Sequence, residues 1–374
     1  MFALRTLLLR FSPLAASQAR VLRSRKRRSH ALVSVWCGLI LIAASQLVLG
    51  WAIDTERLPL RDPLYFDKVA LFRKHPAFFA APSPDKPTTL LFVGSSRTLN
   101  AIDARAANGY LTQQLGRPVE TFNFGQAGAG PITNAVYIRR LKQDGVKPDF
   151  VLIEVHPVFL AGQHTVMPEQ RWLLPLRLRR EEMATVHAMN FPAATPAVHG
   201  PRGYFAPWNE FRFLIVDRYA PFMVMNDSRL NGGHEPDSHG FARLQEYTLP
   251  QDRAGLLNTG RGQYAAYFHG FRPTGCGVNG VRDMIEQCRV EGWKTGLILM
   301  PESSEWLSWY DAAGLKELDA LMAKLSAEYA VPVFDARTWV PDHLSLDGHH
   351  LSGPGADFFT EKLSREALAP WMAK

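Results

Sequence analysis

The sequence predicts an α/β fold: a three-layer sandwich around a five-stranded parallel sheet, with a large insertion after the third strand. Three observations predict it. Short apolar, β-branched runs alternate with helix-length segments in a β-α-β-α-β rhythm across residues 88–155. The rhythm breaks over residues 157–275, which are rich in Pro, Gly, Arg and aromatics, and resumes from about residue 276. Polar loops follow the apolar runs, as at the C-terminal edge of a parallel sheet, where open α/β folds place their sites.

The chain has 374 residues, 47% apolar and 11% aromatic, ample for a packed core. Its formal charge of +7 is concentrated at one end. Eight Lys/Arg residues and no acid lie in residues 1–30, leaving 34 bases against 35 acids in the remainder. The folded part is near neutral, so the charge gives no support for a nucleic-acid partner. Ala31 to Ile53 is an uncharged apolar run of 23 residues, long enough to cross a bilayer. The basic cluster before it places the N-terminus in the cytoplasm by the positive-inside rule. The reading is a basic cytoplasmic segment 1–30, an uncleaved transmembrane anchor 31–53 and an extracytoplasmic, periplasmic-side C-terminal domain. A cleaved signal peptide is the alternative, and no clean small-x-small site follows the run.

In chain order, residues 54–87 form a Pro-rich connector expected to run over the domain surface. Thr88–Val93 is a continuous apolar strand that stops at Gly94, where Ser95, Ser96 and Arg97 lead towards a helix over Ala101–Leu115, closed by Gly116. Val119–Phe124 is the second strand, 125–130 a glycine loop, Ile132–Lys142 a helix and Phe150–Val155 the third strand. The insertion 157–275 leaves the C-terminal end of that strand, placed to cap a site, with helical patches at Glu181–Met189 and Glu210–Tyr219. A helix ending at Glu291, a strand Thr295–Met300, a helix Ala312–Tyr329, a strand Val331–Asp335 and a helix Pro354–Leu368 complete a flavodoxin-like pattern. Cys37 falls in the anchor. Cys276 and Cys288 are twelve residues apart, about 18 Å if both lie on one helix, beyond disulfide reach. Cys288 is expected as a buried free thiol, and pairing requires Cys276 to fold back from before the helix.

Two stretches carry candidate chemistry. Ser96 sits at a strand-to-helix junction, where free helix N–H groups suit a developing oxyanion, although serines at such positions are usually caps. Asp347 and His350, three apart in the polar loop before the last helix, can place a carboxylate on an imidazole. A carboxylate-oriented histidine that deprotonates a serine is the logic of nucleophilic acyl transfer. The run Asp342, His343, Asp347, His349, His350 has metal-ligand residue types but no convincing distant ligand, so neither metal nor cofactor is assigned. Ser83-x-x-Lys86 lies in the connector, Gly125-x-x-Gly128-x-Gly130 follows the wrong strand for dinucleotide binding, and Glu302 reads as a solvated loop acid, with a substrate contact as the alternative. Arginines 171–180 read as a solvated face with a possible anionic-glycan or headgroup role.

Gly94-Ser95-Ser96, the glycine loop after the second strand and Asp347-x-x-His350 resemble the SGNH, or GDSL-like, hydrolase superfamily. The Gly-Ser-Ser-Arg form resembles membrane-anchored, exported branches such as alginate O-acetylation and teichoic-acid D-alanine transfer proteins. The match covers residues 88–156 and 280–368 of the domain 88–374. It implies Ser96 as nucleophile, His350 as general base and Asp347 as its orienting carboxylate, with no cofactor. Gly125 or Gly128 would supply an oxyanion N–H alongside Ser96. The third block departs from the family: Val158 stands where an asparagine donates to the oxyanion, with Asn123 or His156 as substitutes. The implied function is an esterase or acyltransferase acting on an acyl ester, such as an acylated envelope glycan. The rival is a catalytically degenerate glycan-binding or envelope-assembly protein with an envelope-complex partner.

Overall fold

In the computed structural model the described residues are 13–81, 83–162, 168–171, 173, 177–191, 206–224, 235–244 and 250–374. Residues 1–12 of the basic segment and several parts of the insertion, including Trp172, therefore lie outside the described residues. The chain divides into two units, residues 1–58 with 201–212, and residues 59–200 with 213–374.

In the first unit a single helix, α1 (Pro13–Asp54), contains a 26-residue stretch, Ser29–Asp54, long and apolar enough to cross a membrane. Its Leu32, Trp36, Ile40 and Leu47 side chains are exposed, as a lipid-facing surface requires and a soluble core helix does not.

The second unit begins with α2 (Pro63–Phe72), a helix inside the stretch expected as a surface connector. Tyr65, Val69 and Phe72 instead enter the core, with Phe72 packed on Phe78 and Phe122 at 4.7 and 4.5 Å between ring centroids. Five aromatics in residues 54–87, Tyr65, Phe66, Phe72, Phe78 and Phe79, bury enough area to override the proline content of this stretch. The sheet strands are β1 (Thr88–Val93), β2 (Val119–Asn123), β3 (Phe150–Glu154), β4 (Lys294–Leu299) and β5 (Val333–Asp335). All pair in parallel in the order β2-β1-β3-β4-β5, as the flavodoxin-like reading requires.

Side chains alternate across the strands and build one core on each face. Leu91 and Val93 pack with Phe122, Val151 and Leu297 on one face, against α5 (Pro131–Gln143), Cys276–Val290 and Ala312–Tyr329. Leu90 and Phe92 pack with Leu152 and Ile298 on the other, against Ala104–Leu115 and Gly353–Lys362. Burial on both faces explains why these strands read as unbroken apolar runs.

The expected helix over 101–115 is two helices, α3 (Ser96–Ala101) and α4 (Ala104–Leu115). Ile102 turns extended, and Asp103 caps α4 by accepting from the Ala106 N–H at 3.0 Å. The last helix ends at Lys362 and continues as a π-helical turn, Leu363–Leu368. Cys276 is the first residue of its helix and Cys288 lies on the same helix; both are buried free thiols. Burial pushes the Cys288 thiol up to about 12.

Candidate active site

Strand β1 ends at Gly94, and the turn into α3 is built over a buried carboxylate. Glu154, at the end of β3, accepts from the Ser95 N–H at 2.7 Å, the Ser95 hydroxyl at 2.8 Å and the Thr98 hydroxyl at 2.7 Å. A Cβ at position 94 would overlap both Thr98 Oγ1 and Glu154, so only glycine lets this carboxylate sit beneath the turn. Ser95 is the α3 cap, accepting from the Arg97 N–H at 3.1 Å, and it is 2% exposed. With Ser95 spent on the cap, Ser96 is the serine whose hydroxyl leaves the turn.

Ser96 meets the two residues expected from the far end of the chain. Ser96 Oγ lies 2.8 Å from His350 Nε2, and His350 Nδ1 lies 2.6 Å from Asp347 Oδ2. The carboxylate accepts only, so Nδ1 carries the proton and Nε2 is left to accept from the serine hydroxyl. The other Asp347 oxygen accepts from the His350 N–H at 2.8 Å and the His349 N–H at 3.1 Å, which winds the loop so that the imidazole returns over its own carboxylate. Burial opposes ionisation of Asp347. The neighbouring His349 and His350 and these hydrogen bonds nevertheless hold its carboxyl far below the usual range.

His349 stacks between His350, at 4.0 Å between ring centroids, and Trp306, at 4.1 Å. Burial holds its imidazole well below its ordinary pKa, which favours the neutral form, and it packs as an aromatic plate beside the His350 ring. Asp347, His349 and His350 offer ligand atoms within 4.8 Å of one another, but here Asp347 and His350 are already engaged with each other and with Ser96.

Of the expected oxyanion contacts, Asn123 and Gly125 are spent elsewhere. The Asn123 amide donates to the Thr98 and Ile102 carbonyls at 2.7 and 2.8 Å, and its oxygen accepts from the Gly125 N–H at 2.9 Å. Asn123 thus fastens the glycine loop to the end of α3, where the helix breaks. It is fully buried. Gly128 adopts φ +71°, and among the described residues its N–H and that of Ser96 have no hydrogen-bond partner. Val158 is fully buried in a short 3₁₀ turn, Pro157–Leu160, and offers no donor.

His156 was one of two substitutes for that donor. Its Nδ1 lies 3.4 Å from Arg97 Nη1, and a guanidinium has no lone pair to offer. Nδ1 therefore accepts and Nε2 carries the proton. Burial, followed by Arg97 and the two site histidines, holds His156 well below its ordinary pKa, which keeps it a neutral donor. Its ring lies 6.2 Å from that of His349.

Arg97 is 1% exposed and ties the turn to the next strand end. It donates to the Met300 and Pro301 carbonyls at 2.7 and 3.0 Å and to Glu302 at 3.0 Å. Glu302 is therefore a fully buried partner of Arg97, not a solvated acid, because an isolated guanidinium at this depth needs a counter-charge.

The insertion braces the same turn. The Ala242 N–H donates to the Leu99 carbonyl at 3.0 Å, and Asn100 donates back to the Ala242 carbonyl at 2.7 Å. A helix of the insertion, Pro250–Phe268, lies along the Asp347 loop: Tyr264 meets His349 at 5.5 Å between centroids, and Arg253 donates to the Ser345 carbonyl at 3.0 Å. Glu154 and residues 239–243 are contributors that motif spacing does not single out.

The family model described as a protein of unknown function, DUF1574, matches residues 59–170. No curated protein matches the chain. Among solved structures the chain is similar to a candidate acylhydrolase from Bacteroides fragilis, at 12% identity over 81% of this chain and 96% of that one, with a TM-score of 0.39. A candidate lipolytic protein of the G-D-S-L family from Desulfitobacterium hafniense gives 13% identity over 74% and 98%, with a TM-score of 0.33. A carbohydrate acetylesterase family member from Sinorhizobium meliloti gives 12% identity over 76% and 98%, with a TM-score of 0.33.

Proposed function

We propose that the protein is a membrane-anchored, extracytoplasmic serine esterase or acyltransferase of the SGNH type, acting on acyl esters of an envelope polysaccharide. The observation that carries this reading is the continuous Ser96–His350–Asp347 chain, with contacts of 2.8 and 2.6 Å. His350 Nε2 takes the Ser96 proton as Oγ attacks the acyl carbonyl. Asp347 keeps the proton on Nδ1 and stabilises the imidazolium that forms. The oxyanion is met by the Ser96 and Gly128 N–H groups, with the His156 Nε2–H in place of the family asparagine. The imidazolium then returns its proton to the departing alcohol oxygen, leaving the acyl group on Ser96. Water or a sugar hydroxyl, deprotonated by His350, attacks the acyl-enzyme and releases Ser96.

The choice between hydrolysis and transfer falls to the insertion, whose Pro250–Phe268 helix lies along the Asp347 loop. The anchor reading and the exported topology motivate an envelope substrate. One observation favours the rival, non-catalytic binding reading: Val158 leaves a donor position empty of any polar group. The two are separated by following release of acetate from an acetylated polysaccharide and from a simple aryl acetate. Turnover that disappears in Ser96→Ala supports the enzyme; tight glycan binding without turnover in the folded wild-type chain supports the rival.

A further inference from the structure

Within the second unit, residues 237–242 of the insertion form a strap that meets the edge strand β2 and ends on α3. The Asn123 N–H donates to the His239 carbonyl at 2.9 Å, and the Ala242 N–H donates to the Leu99 carbonyl at 3.0 Å. Asn100 donates to the Ala242 carbonyl at 2.7 Å, and Phe241 and Ala242 are buried. The approach is close: Gly240 adopts φ +85°, and a Cβ there would lie 2.1 Å from the Asn123 carbonyl oxygen. Leu99 and Asn100 lie on the six-residue helix that begins at Ser96, so the strap holds the far end of that helix.

Two side chains from the chain before β1 fasten the strap. Lys68, on α2, donates to the Gly240 carbonyl at 2.5 Å. His75 lies buried between two acceptors, with Nδ1 2.7 Å from Glu120 Oε1 and Nε2 2.8 Å from the Ser238 carbonyl oxygen. A carboxylate and a carbonyl only accept, so both ring nitrogens carry protons and the ring is an imidazolium. A neutral ring can hold only one of the two acceptors.

Besides Glu120 on β2, the charged and titratable groups around this ring are Asp237 and His239 on the strap, Arg105 on α4 and Lys68 on α2. Arg105 donates to Ser238 Oγ at 2.7 Å and lies 3.8 Å from Asp237. Burial works against the His75 charge, but the bonds to Glu120 and Ser238 and the charges of Glu120 and Asp237 raise its pKa. Burial and the His75 charge lower that of His239, whose ring lies 4.7 Å away, which favours its neutral form. Burial lowers Lys68 to about 7 against the pull of Asp237, and a neutral amine still donates to Gly240.

We infer that His75 is a positioning residue for Ser96: as an imidazolium it clamps the 237–242 strap, which in turn holds α3. The inference rests on the serine reading of the site. Below the ordinary histidine value of about 6.5 the ring is charged whether the strap is docked or free, and the clamp is complete. Above it the docked ring keeps a proton that the free ring loses. Docking then weakens by up to about tenfold per pH unit until the folded value is passed. Lys68 acts in the opposite sense, because docking buries its amine and favours the uncharged form.

The test is hydrogen exchange of the full chain across about pH 5–9, with protection compared between wild type and His75→Gln over residues 96–102 and 237–243. The ratio of the two cancels the Lys68 contribution, which both chains share. It should be about tenfold or more at the acid end, the size of one charge-assisted hydrogen bond, and fall towards one as pH rises. The ratio of fluorophosphonate labelling rates at Ser96 should follow the same profile. Glu120→Gln leaves His75 in place and should move the fall towards acid pH; it carries the test if His75→Gln does not fold. A His75 that merely fills space would give no pH-dependent ratio and no acid shift, and that result overturns the inference. Labelling of Ser96 with a pH-independent ratio overturns the clamp and leaves the serine mechanism standing. The expected protection profile in a folded chain that never labels overturns the mechanism, and with it the clamp's role in the reaction.

Discussion

Glu154 offers the sharpest test of how the serine is positioned. Its carboxylate receives the Ser95 N–H and hydroxyl, the Thr98 hydroxyl, and the Thr98 N–H at 3.3 Å, and Arg97 Nε lies 3.9 Å away. Glu154→Gln keeps the shape but removes the charge and turns one acceptor into a donor. Charge-assisted bonds contribute about 1.5–3 kcal/mol each against about 0.5–1.5 for neutral ones, so weakening three or four of them costs about 3 kcal/mol. That is a large part of a typical stability of about 5–15 kcal/mol, but leaves the protein folded. At about 2–4 °C per kcal/mol for a domain of this size, the melting temperature should fall by about 6–12 °C. The Ser96 turn should also loosen, and a displacement of about 1 Å at a nucleophile costs on the order of 10²-fold in rate. The assay pairs thermal unfolding of the full chain with the rate of fluorophosphonate labelling per folded molecule. A Glu154→Gln protein that melts and labels like the wild type would refute the carboxylate's role in shaping the turn.

His156→Ala should lower the acylation rate by about 10²–10³-fold, the loss expected for one oxyanion donor, with substrate affinity little changed; His156→Gln, which keeps an N–H, should recover part of it. Equal rates for wild type and His156→Ala would return the oxyanion to backbone groups alone. For pH, His156 and His349 have folded pKa values well below the ordinary histidine value, so below about pH 6.5 the unfolded chain binds protons that the folded chain refuses. Stability present above that pH is therefore lost on acidification, at up to about 1.4 kcal/mol per pH unit for each histidine. His75 acts in the opposite sense. Burial works against its charge, but its hydrogen bonds to Glu120 at 2.7 Å and the Ser238 carbonyl at 2.8 Å raise its pKa. Its contribution is present at low pH and lost as pH rises through the folded value. Denaturant titrations across pH 5–9 should show His349→Gln flattening the acid limb and His75→Gln flattening the alkaline one; unchanged limbs would contradict these assignments.

The inner strands of the sheet were legible because they are buried on both faces, so Thr88–Val93 and Phe150–Glu154 appear as apolar runs without needing tertiary information. Ser96, Asp347 and His350 were legible because their spacing and their places beside strand ends are local properties. What escaped depends on pairings across the fold. Glu154 looks like one acid closing an apolar strand until the turn of β1 is laid over it. Glu302 reads as a solvated loop acid, and only its burial against Arg97 reveals a strut between strand ends. Asn123 reads by position as a substitute oxyanion donor, yet the break of α3 at Ile102 exposes carbonyls that consume its amide. The aromatic connector failed for a related reason: proline count dominated the reading, while Tyr65, Phe72 and Phe78 had a core to fill.

The central claim is that Ser96 is the residue that becomes acylated. Intact-mass and peptide-mapping measurement of the full chain after brief exposure to a fluorophosphonate should find one adduct, on the peptide containing Ser96, absent in Ser96→Ala and strongly reduced in His350→Ala. An adduct on another residue, or none on folded wild-type protein, would contradict the account.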